Sequence, residues 1–359
     1  MILSQLELCQ VRNLAEAKLT PSAGVNLIFG ANASGKTSLL EAIHILSTSR
    51  SFRSLQIQHI IQRDKRFLRV FGKVIEQTGQ QLSMGIERDR EQVKMRLSGT
   101  PVHNASSLAS ILPVQIINPD VHKLLEQGPK QRRQFMDWGV FHVEQSFHGL
   151  WREYNRILKQ RNAALRAGAR QPDIQVWDKG LVDTALKITA LRENYLANLL
   201  PVLENYSEQL IGFIPQFSYS RGWQKDEDLA DKLKDSLETD RAQGYTRAGP
   251  HRADLHIKHE SLPAQASFSR GQQKLLVSAM RLAQITHLKQ QSGQQTVLLV
   301  DDLAAELDEE KRARMLALLK ETGAQLFVTV TEPDLVDVSG WDEIKLFHVE
   351  HGAIKEVVY

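Results

Sequence analysis

The sequence predicts an α/β fold: a P-loop head with a mixed sheet, interrupted by an inserted helical lobe and lacking a long coiled coil. Three observations predict it. The stretch GANASGKT, residues 30 to 37, lies between an apolar run and a helical pattern. A second apolar run, TVLLVDD at 296 to 302, ends in two acids. Between them, from about 121 to 240, the pattern changes to long, charged helices.

In chain order, VNLIFG (25 to 30) is an unbroken apolar run stopped by glycine, the mark of a buried strand. ASGKTSLLEAIHIL then places Leu39, Leu40, Ile43, Ile45 and Leu46 at helical spacing. LRVFGKVI (68 to 75), QLSMGIERD (81 to 89) and VKMRLSG (93 to 99) read as an antiparallel piece. LPVQIINP (112 to 119) reads as a strand ended by proline. WREYNRILKQRNAALRAG and DTALKITALRENYLANLLPVLENYSEQLIGFI are helices parted by GARQPD. Their spacing suits two packed helices and is too short for a sustained coiled coil. Shorter pieces follow over 243 to 259. SRGQQKLLVSAMRLAQITHL reads as a helix, TVLLVDD as a buried strand, EKRARMLALLK as a helix, AQLFVTV as a buried strand and DEIKLFHVEHGAIKEV as a hairpin. The expected division is a head of residues 1–120 and 243–359 with a helical lobe of 121–242, the SRGQQK helix lying at their junction.

The bulk numbers exclude several classes. With 359 residues, 42% hydrophobic and 24% charged, the chain reads as an ordinary soluble protein of two or three domains, or of one core with a large insertion. A net charge of +3 is too small to imply a nucleic-acid partner. The single cysteine, Cys9, rules out an intrachain disulfide framework and fits a reducing compartment. MILSQLELCQVRN is too polar for a signal peptide, and no apolar run is long enough to span a membrane. The expectation is a cytoplasmic chain with no membrane partner.

Gly30, Ala31, Asn32, Ala33, Ser34, Gly35, Lys36 and Thr37 match G-x-x-x-x-G-K-[ST] in full, and Ser38 continues into the helix. The glycines let backbone N–H groups turn inward around phosphate oxygens, and the helix start adds its positive end. Lys36 would reach the β- and γ-phosphates, and the Thr37 hydroxyl would ligate Mg²⁺. Asp301 would hold the same ion, and Asp302 would orient the attacking water. Both aspartates also suit plain capping or solvent-facing positions, and Asp308 also suits an ordinary helix start. Ser269, Arg270, Gly271 and Gln272 raise a separate question. A second helix start so far from the P-loop suits a γ-phosphate approached from the other side. Taken alone, it equally suits an N-cap on a surface helix. No histidine or cysteine cluster has metal-site spacing, and Asp226, Glu227 and Asp228 lie in a solvated stretch.

With these pieces assembled, the chain resembles the RecF family of ABC-type ATPases, related to the SMC and Rad50 proteins. The resemblance runs from LELCQVRN to LFHVEHGAIKE. It includes SFRSLQI, GPKQRRQFMDWGVFH, LKQRNAALR, GPHRADL, SRGQQK and LLVDDLAAELD. It implies an ABC-type head that binds ATP and Mg²⁺ and hydrolyses ATP slowly. Residues 269 to 272 would act in trans on ATP held by the Lys36 and Thr37 of a second copy. Gln115 would occupy the glutamine loop and couple nucleotide to lobe movement, Asp302 the general-base position, and Asp308 the loop crossing the dimer seam. Thr329 lies near the usual switch histidine, and Ala305 stands where a serine is expected. The implied role is a recombination mediator in DNA replication, repair, recombination and the SOS response. Its partners would be double-stranded DNA at gaps or junctions, a second copy of the chain and other mediator proteins, with a nucleoid-associated location. An SMC-like structural DNA clamp or scaffold is the alternative.

Basic groups suited to phosphate contact without sequence reading are Arg50, Arg53, Arg63, Lys65, Arg66 and Arg69, then Lys130, Arg132 and Arg133, then Arg152, Arg156, Lys159, Arg161 and Arg166. Solvated helix faces paired with nearby acids are the alternative for each. Aromatic residues do not interleave with these charges as a single-strand platform needs, so duplex backbone contact is the expectation.

Overall fold

The computed structural model describes residues 1–302 and 308–357. The chain divides into two units, Met1–Val121 with Leu288–Tyr359, and His122–His287.

The first unit opens with β1 (Ile2–Val11), β2 (Leu14–Leu19) and β3 (Val25–Phe29), followed by α1 (Lys36–Thr48). Next come β4 (Leu68–Ile75), β5 (Gln81–Arg88), β6 (Val93–Leu97), β7 (Thr100–Val102), α2 (Ala105–Ile111) and β8 (Val114–Ile117). The second unit holds α3 (Lys123–Glu126), α4 (Pro129–Val143), α5 (Phe147–Arg166), α6 (Gln171–Gln175), α7 (Asp178–Ile211), β9 (Gln216–Ser220), α8 (Leu229–Asp235) and α9 (Leu237–Gln243). It continues through β10 (Asp254–His259), β11 (Leu262–Pro263), α10 (Ala264–Ser267) and most of α11 (Arg270–Ser292). The chain then returns to the first unit with β12 (Val297–Val300), α12 (Glu309–Thr322), β13 (Gln325–Val330), β14 (Ile344–Glu350) and β15 (Ala353–Val357).

Two six-stranded sheets build the first unit. One is antiparallel, in the order β2-β1-β4-β5-β6-β7. Its strands alternate: Leu68, Val70 and Val74 of β4 face the core while Arg69 is exposed. The other has the order β15-β14-β3-β13-β12-β8, parallel from β14 through β8, with β15 antiparallel. Its inner strands β12 and β13 are buried at every residue, as a parallel sheet covered on both faces requires. One apolar cluster joins Leu6, Val70 and Met84 of the first sheet, Leu39, Ile43 and Leu46 of α1, and Ile28, Leu299 and Phe327 of the second. The helix is thus packed on both sides. Parallel registry brings the ends of β3, β12, β13 and β8 to one edge of the sheet, where ligands of such sheets bind.

In the second unit α5 packs on α7, a 34-residue helix about 51 Å long that contains Pro201. Neither α5 nor α7 extends into a longer coiled coil. Two features depart from expectation. The second unit ends at His287, where the sequence suggested 242, and it contains a sheet, β11-β10-β9. The reason is non-local: β9 pairs antiparallel with β10 from Asp254↔Ser220 to Lys258↔Gln216, pulling residues 243 to 287 into the same unit.

Candidate functional site

The P-loop leaves β3 at Phe29 and enters α1 at Lys36. Its two glycines are obligatory. Gly30 has φ 148° and Gly35 has φ 127°. A Cβ on Gly30 would strike the Val349 carbonyl oxygen, and one on Gly35 would lie 2.7 Å from Leu14 Cδ2. Gly35 is the N-cap of α1 and offers no side-chain cap, so the first N–H groups of the helix stay open towards the loop. The Ser34 hydroxyl is buried without a hydrogen-bond partner. A buried orphan donor beside open helix amides is what a bound phosphate would satisfy, so the loop fits ATP.

Lys36 Nζ folds back over the loop and donates to the carbonyl oxygens of Gly30 (2.6 Å) and Ala31 (2.9 Å). Burial lowers its pKa below the usual lysine value, opposed by the carboxylates of Asp302 and Asp301. The Thr37 hydroxyl donates to both Asp301 oxygens, at 2.9 and 3.1 Å. Neighbouring ligands of an octahedral Mg²⁺ at 2.0–2.1 Å lie about 2.9 Å apart, so this oxygen pair fits that ion. Among the described residues no cluster of three or more His, Cys, Asp or Glu side chains could hold a metal.

Thr329 completes the acid end. Its hydroxyl donates to Asp301 Oδ1 (2.8 Å) and accepts the Asp302 N–H (2.9 Å). Asp302 has φ 57°, a left-handed turn just after β12 that directs the chain out of the sheet. Lys36, Thr37, Asp301, Asp302 and Thr329 line one cavity of about 1010 Å³, together with Asn32, Ala33, Gly35 and Ser38 of the loop.

Several residues at this cavity, Asn13, Arg12 and Arg53 among them, were not singled out from the sequence as part of it. Asn13, in the turn between β1 and β2, donates to the backbone oxygens of Ser34 (2.9 Å) and Ala33 (3.3 Å) and accepts from Ser38 Oγ (2.8 Å). Arg12 lines the cavity and makes a bidentate pair with the fully buried Glu41 of α1, both contacts at 2.8 Å. Ser51 also donates to Glu41. Arg53 lines the same cavity, with Nη1 3.8 Å from Glu41. The only sequence signal was a polar RN pair closing a hairpin; nothing local pointed to its partner.

Several expected contacts are corrected. Gln115 is 3% exposed, level with Leu298 across β8 and β12 and about 7 Å down the strand from Ile117; it does not line the cavity, which Pro119 of that segment reaches. Arg161 is fully buried in ion pairs, so it cannot meet a DNA phosphate. Arg132 is tied bidentately to Asp254 (2.8 and 2.9 Å), and Arg133 donates to the Ala253 carbonyl at 2.7 Å. The blocks GPKQRRQFMDWGVFH and GPHRADL therefore meet inside the second unit and hold it together. Arg192 extends the same web, paired with Asp137 and donating to the Pro250 carbonyl at 2.7 Å. Lys65, Arg66 and Lys130 are exposed, and Arg63 is exposed at the rim of the cavity. Ala305 lies outside the described residues.

The start of α11 is a capping box. Ser269 N–H donates to Gln272 Oε1 (3.0 Å), and Gln272 N–H donates to Ser269 Oγ (3.3 Å). Beyond these two bonds the donors left open are the Ser269 O–H, the Gln272 amide, the Arg270 guanidinium and the N–H groups of Arg270 and Gly271. Ser269, Arg270 and Gly271 are exposed. Asp308 caps α12, accepting from Lys311 N–H (2.9 Å) and pairing with Lys311 Nζ (2.6 Å) at an exposed position.

Among the described residues no helix is long and apolar enough to cross a membrane. Residues 2–355 match the family described as RecF/RecN/SMC N terminal domain. The chain is 44% identical to the DNA replication and repair protein RecF of Shewanella denitrificans, over 99% of both chains. It is 43% identical to the protein of the same name from Pseudomonas paraeruginosa, over 99% of this chain and 98% of that one. Its fold is similar to a solved structure of the recombination mediator protein RecF with ATP in the RecFOR pathway. That match has a TM-score of 0.89 and 25% identity, and covers 99% of this chain and 98% of the other. A P-loop ATPase head matched from end to end, by sequence and by fold, makes this chain a member of the RecF family.

Proposed function

We propose that this chain binds ATP with Mg²⁺ in the P-loop cavity, pairs head to tail with a second copy around two nucleotides, and hydrolyses ATP slowly. The closed pair clasps duplex DNA near gaps or junctions and promotes recombinase loading with other mediator proteins. Lys36 and the open amides of α1 hold the phosphates. Thr37 and Asp301 would hold Mg²⁺, which would supply positive charge against the phosphates. Asp302 orients the attacking water. Thr329 keeps the Asp301 carboxylate in place and the Asp302 backbone turned. Asp308 lies at the seam.

The observation that carries the trans arrangement is the start of α11. A Cβ on Gly271 would meet nothing closer than Ser269 Oγ, at 4.0 Å. The chain's own packing therefore gives no reason for a glycine, which costs about 1 kcal/mol relative to alanine in a helix. An empty approach to a set of bare donors suits an anion brought by another molecule. The exposed Lys65, Arg66 and Lys130 remain candidates for duplex phosphates. The SMC-like scaffold is disfavoured, because helices of 20 and 34 residues cannot form its arms.

Light scattering tests the reading with Mg-ATP, without it, and with a short gapped duplex. The mass should double only with ATP, and DNA should then be held more tightly. Ser269→Arg should bind ATP as a monomer yet fail to pair; a variant that pairs as well as the unaltered chain would end the trans reading.

A further inference from the structure

We infer that Gln273 is a positioning residue for the phosphate-facing start of α11, acting through Ser269. The inference rests on the reading of residues 269 to 272 as a phosphate contact in a second subunit. Gln273 lies just beyond those four residues and is 3% exposed, so it cannot itself touch a nucleotide. Its side-chain amide donates to two backbone oxygens of the preceding segment, Phe268 (3.1 Å) and Gln265 (3.3 Å). Its own N–H donates to the Ser269 carbonyl at 2.9 Å. The same side chain thus ties the backbone just before Ser269 to the first turn after it.

Phe268 supplies the second anchor. It is 6% exposed, and its ring sits 5.2 Å from that of Phe213 and 5.5 Å from that of His259. Ser269 is therefore an exposed residue between a buried ring and a buried amide. The choice of glutamine carries a visible cost. Gln273 Oε1 is buried without a partner, an unmet acceptor that methionine would not bury. Only the two donors offset it, and both end on the backbone that aims Ser269. The capping box fixes the rotamer of Ser269 relative to α11, and Gln273 fixes where the chain enters the helix. Together they hold the serine hydroxyl within the narrow tolerance that a contact across a subunit seam needs.

A double-mutant cycle on the full chain separates this role from a general contribution to folding: Gln273→Met, Ser269→Ala and both together. Each protein is measured for ATP affinity as a monomer, for ATP-dependent dimerisation and for kcat at saturating ATP. Gln273→Met should weaken dimerisation about tenfold, the scale of losing two neutral hydrogen bonds, and lower kcat. Monomer ATP affinity should stay unchanged, which also verifies that the variant is folded. In the Ser269→Ala background, Gln273→Met should add nothing. An equal loss in both backgrounds, or no loss in the unaltered background, overturns the inference. If Ser269→Ala alone changes neither dimerisation nor kcat, the trans reading has failed and this inference falls with it. The single variant reports that failure separately.

Discussion

Arg161→Met separates a structural arginine from a DNA-binding one. Arg161 Nε donates to Asp178 Oδ1, and Nη1 donates to Asp240 Oδ2 and Thr246 Oγ1, each at 2.8 Å. Arg161 and Asp240 are both 0% exposed. Burial raises the Asp240 pKa above the usual aspartate value even with Arg161 beside it opposing the rise. Methionine fills most of the space, so the cavity contribution is small. What remains is a buried carboxylate whose chief neighbour is the Arg247 N–H at 3.2 Å. Removing one partner of a buried pair costs about 3–5 kcal/mol. Urea unfolding of the intact chain should show that loss. Arg161→Met with Asp240→Asn should recover much of it, because no charge is then buried alone. Duplex affinity, measured below the transition, should not change. A stability change under about 1 kcal/mol together with a clear loss of DNA affinity would refute the argument.

Lys36→Met should abolish ATP-dependent dimerisation; unchanged dimer mass in saturating ATP would remove this lysine from the clamp. Thr329→Val keeps shape but loses the bonds to Asp301 and the Asp302 N–H. It should lower kcat roughly tenfold with little change in ATP affinity, as a steady-state titration of hydrolysis against ATP would show. His142 and His251 are held neutral by burial, their pKa values pushed from 6.5 down to about 3 and about 4. The unfolded chain therefore binds more protons below pH 6.5, and stability falls as pH drops from 6.5 towards 4. His251 alone accounts for at most about 3 kcal/mol of that fall. Urea midpoints between pH 7 and pH 5 measure it, and a flat profile would show that these rings are solvated.

Strands and helices whose signal is local were legible. VNLIFG, LRVFGKVI, QLSMGIERD and AQLFVTV each lie where β3, β4, β5 and β13 form, because burial on one face or both writes a pattern into consecutive residues. The extent of the second unit was not legible. It depends on Gln216–Ser220 meeting Asp254–His259, a pairing across two helices that leaves no trace in either segment alone. The arginines show the same limit. In sequence, Arg161 and Lys130 both lie in charged helical stretches, but one is fully buried against Asp178 and Asp240 while the other is exposed. Charge could be read from the chain; its neutralisation by a residue far along the chain could not.

The candidate site divides along the same line, and the division explains its construction. Phosphate-facing groups come from one contiguous loop, because helix amides, a lysine and a hydroxyl must converge on a single anion, and adjacent residues do that best. The groups that hold this loop come from elsewhere: Asn13 from the β1–β2 turn and the N–H of Gly352 from the β14–β15 turn, both on the Ser34 carbonyl. Each turn is set by a sheet, and the two sheets grip α1 between them. The loop is thus held by its flanks while its inner face stays open, with the Ser34 hydroxyl and the first amides of α1 unmet. The start of α11 obeys the same rule. Ser269 and Gln272 bond each other in the capping box, the backbone is tied from behind by Gln273, and the first amide donors stay open. Both helix starts are tied from behind and leave amide donors open; under the proposed head-to-tail pairing they would face one triphosphate from two sides.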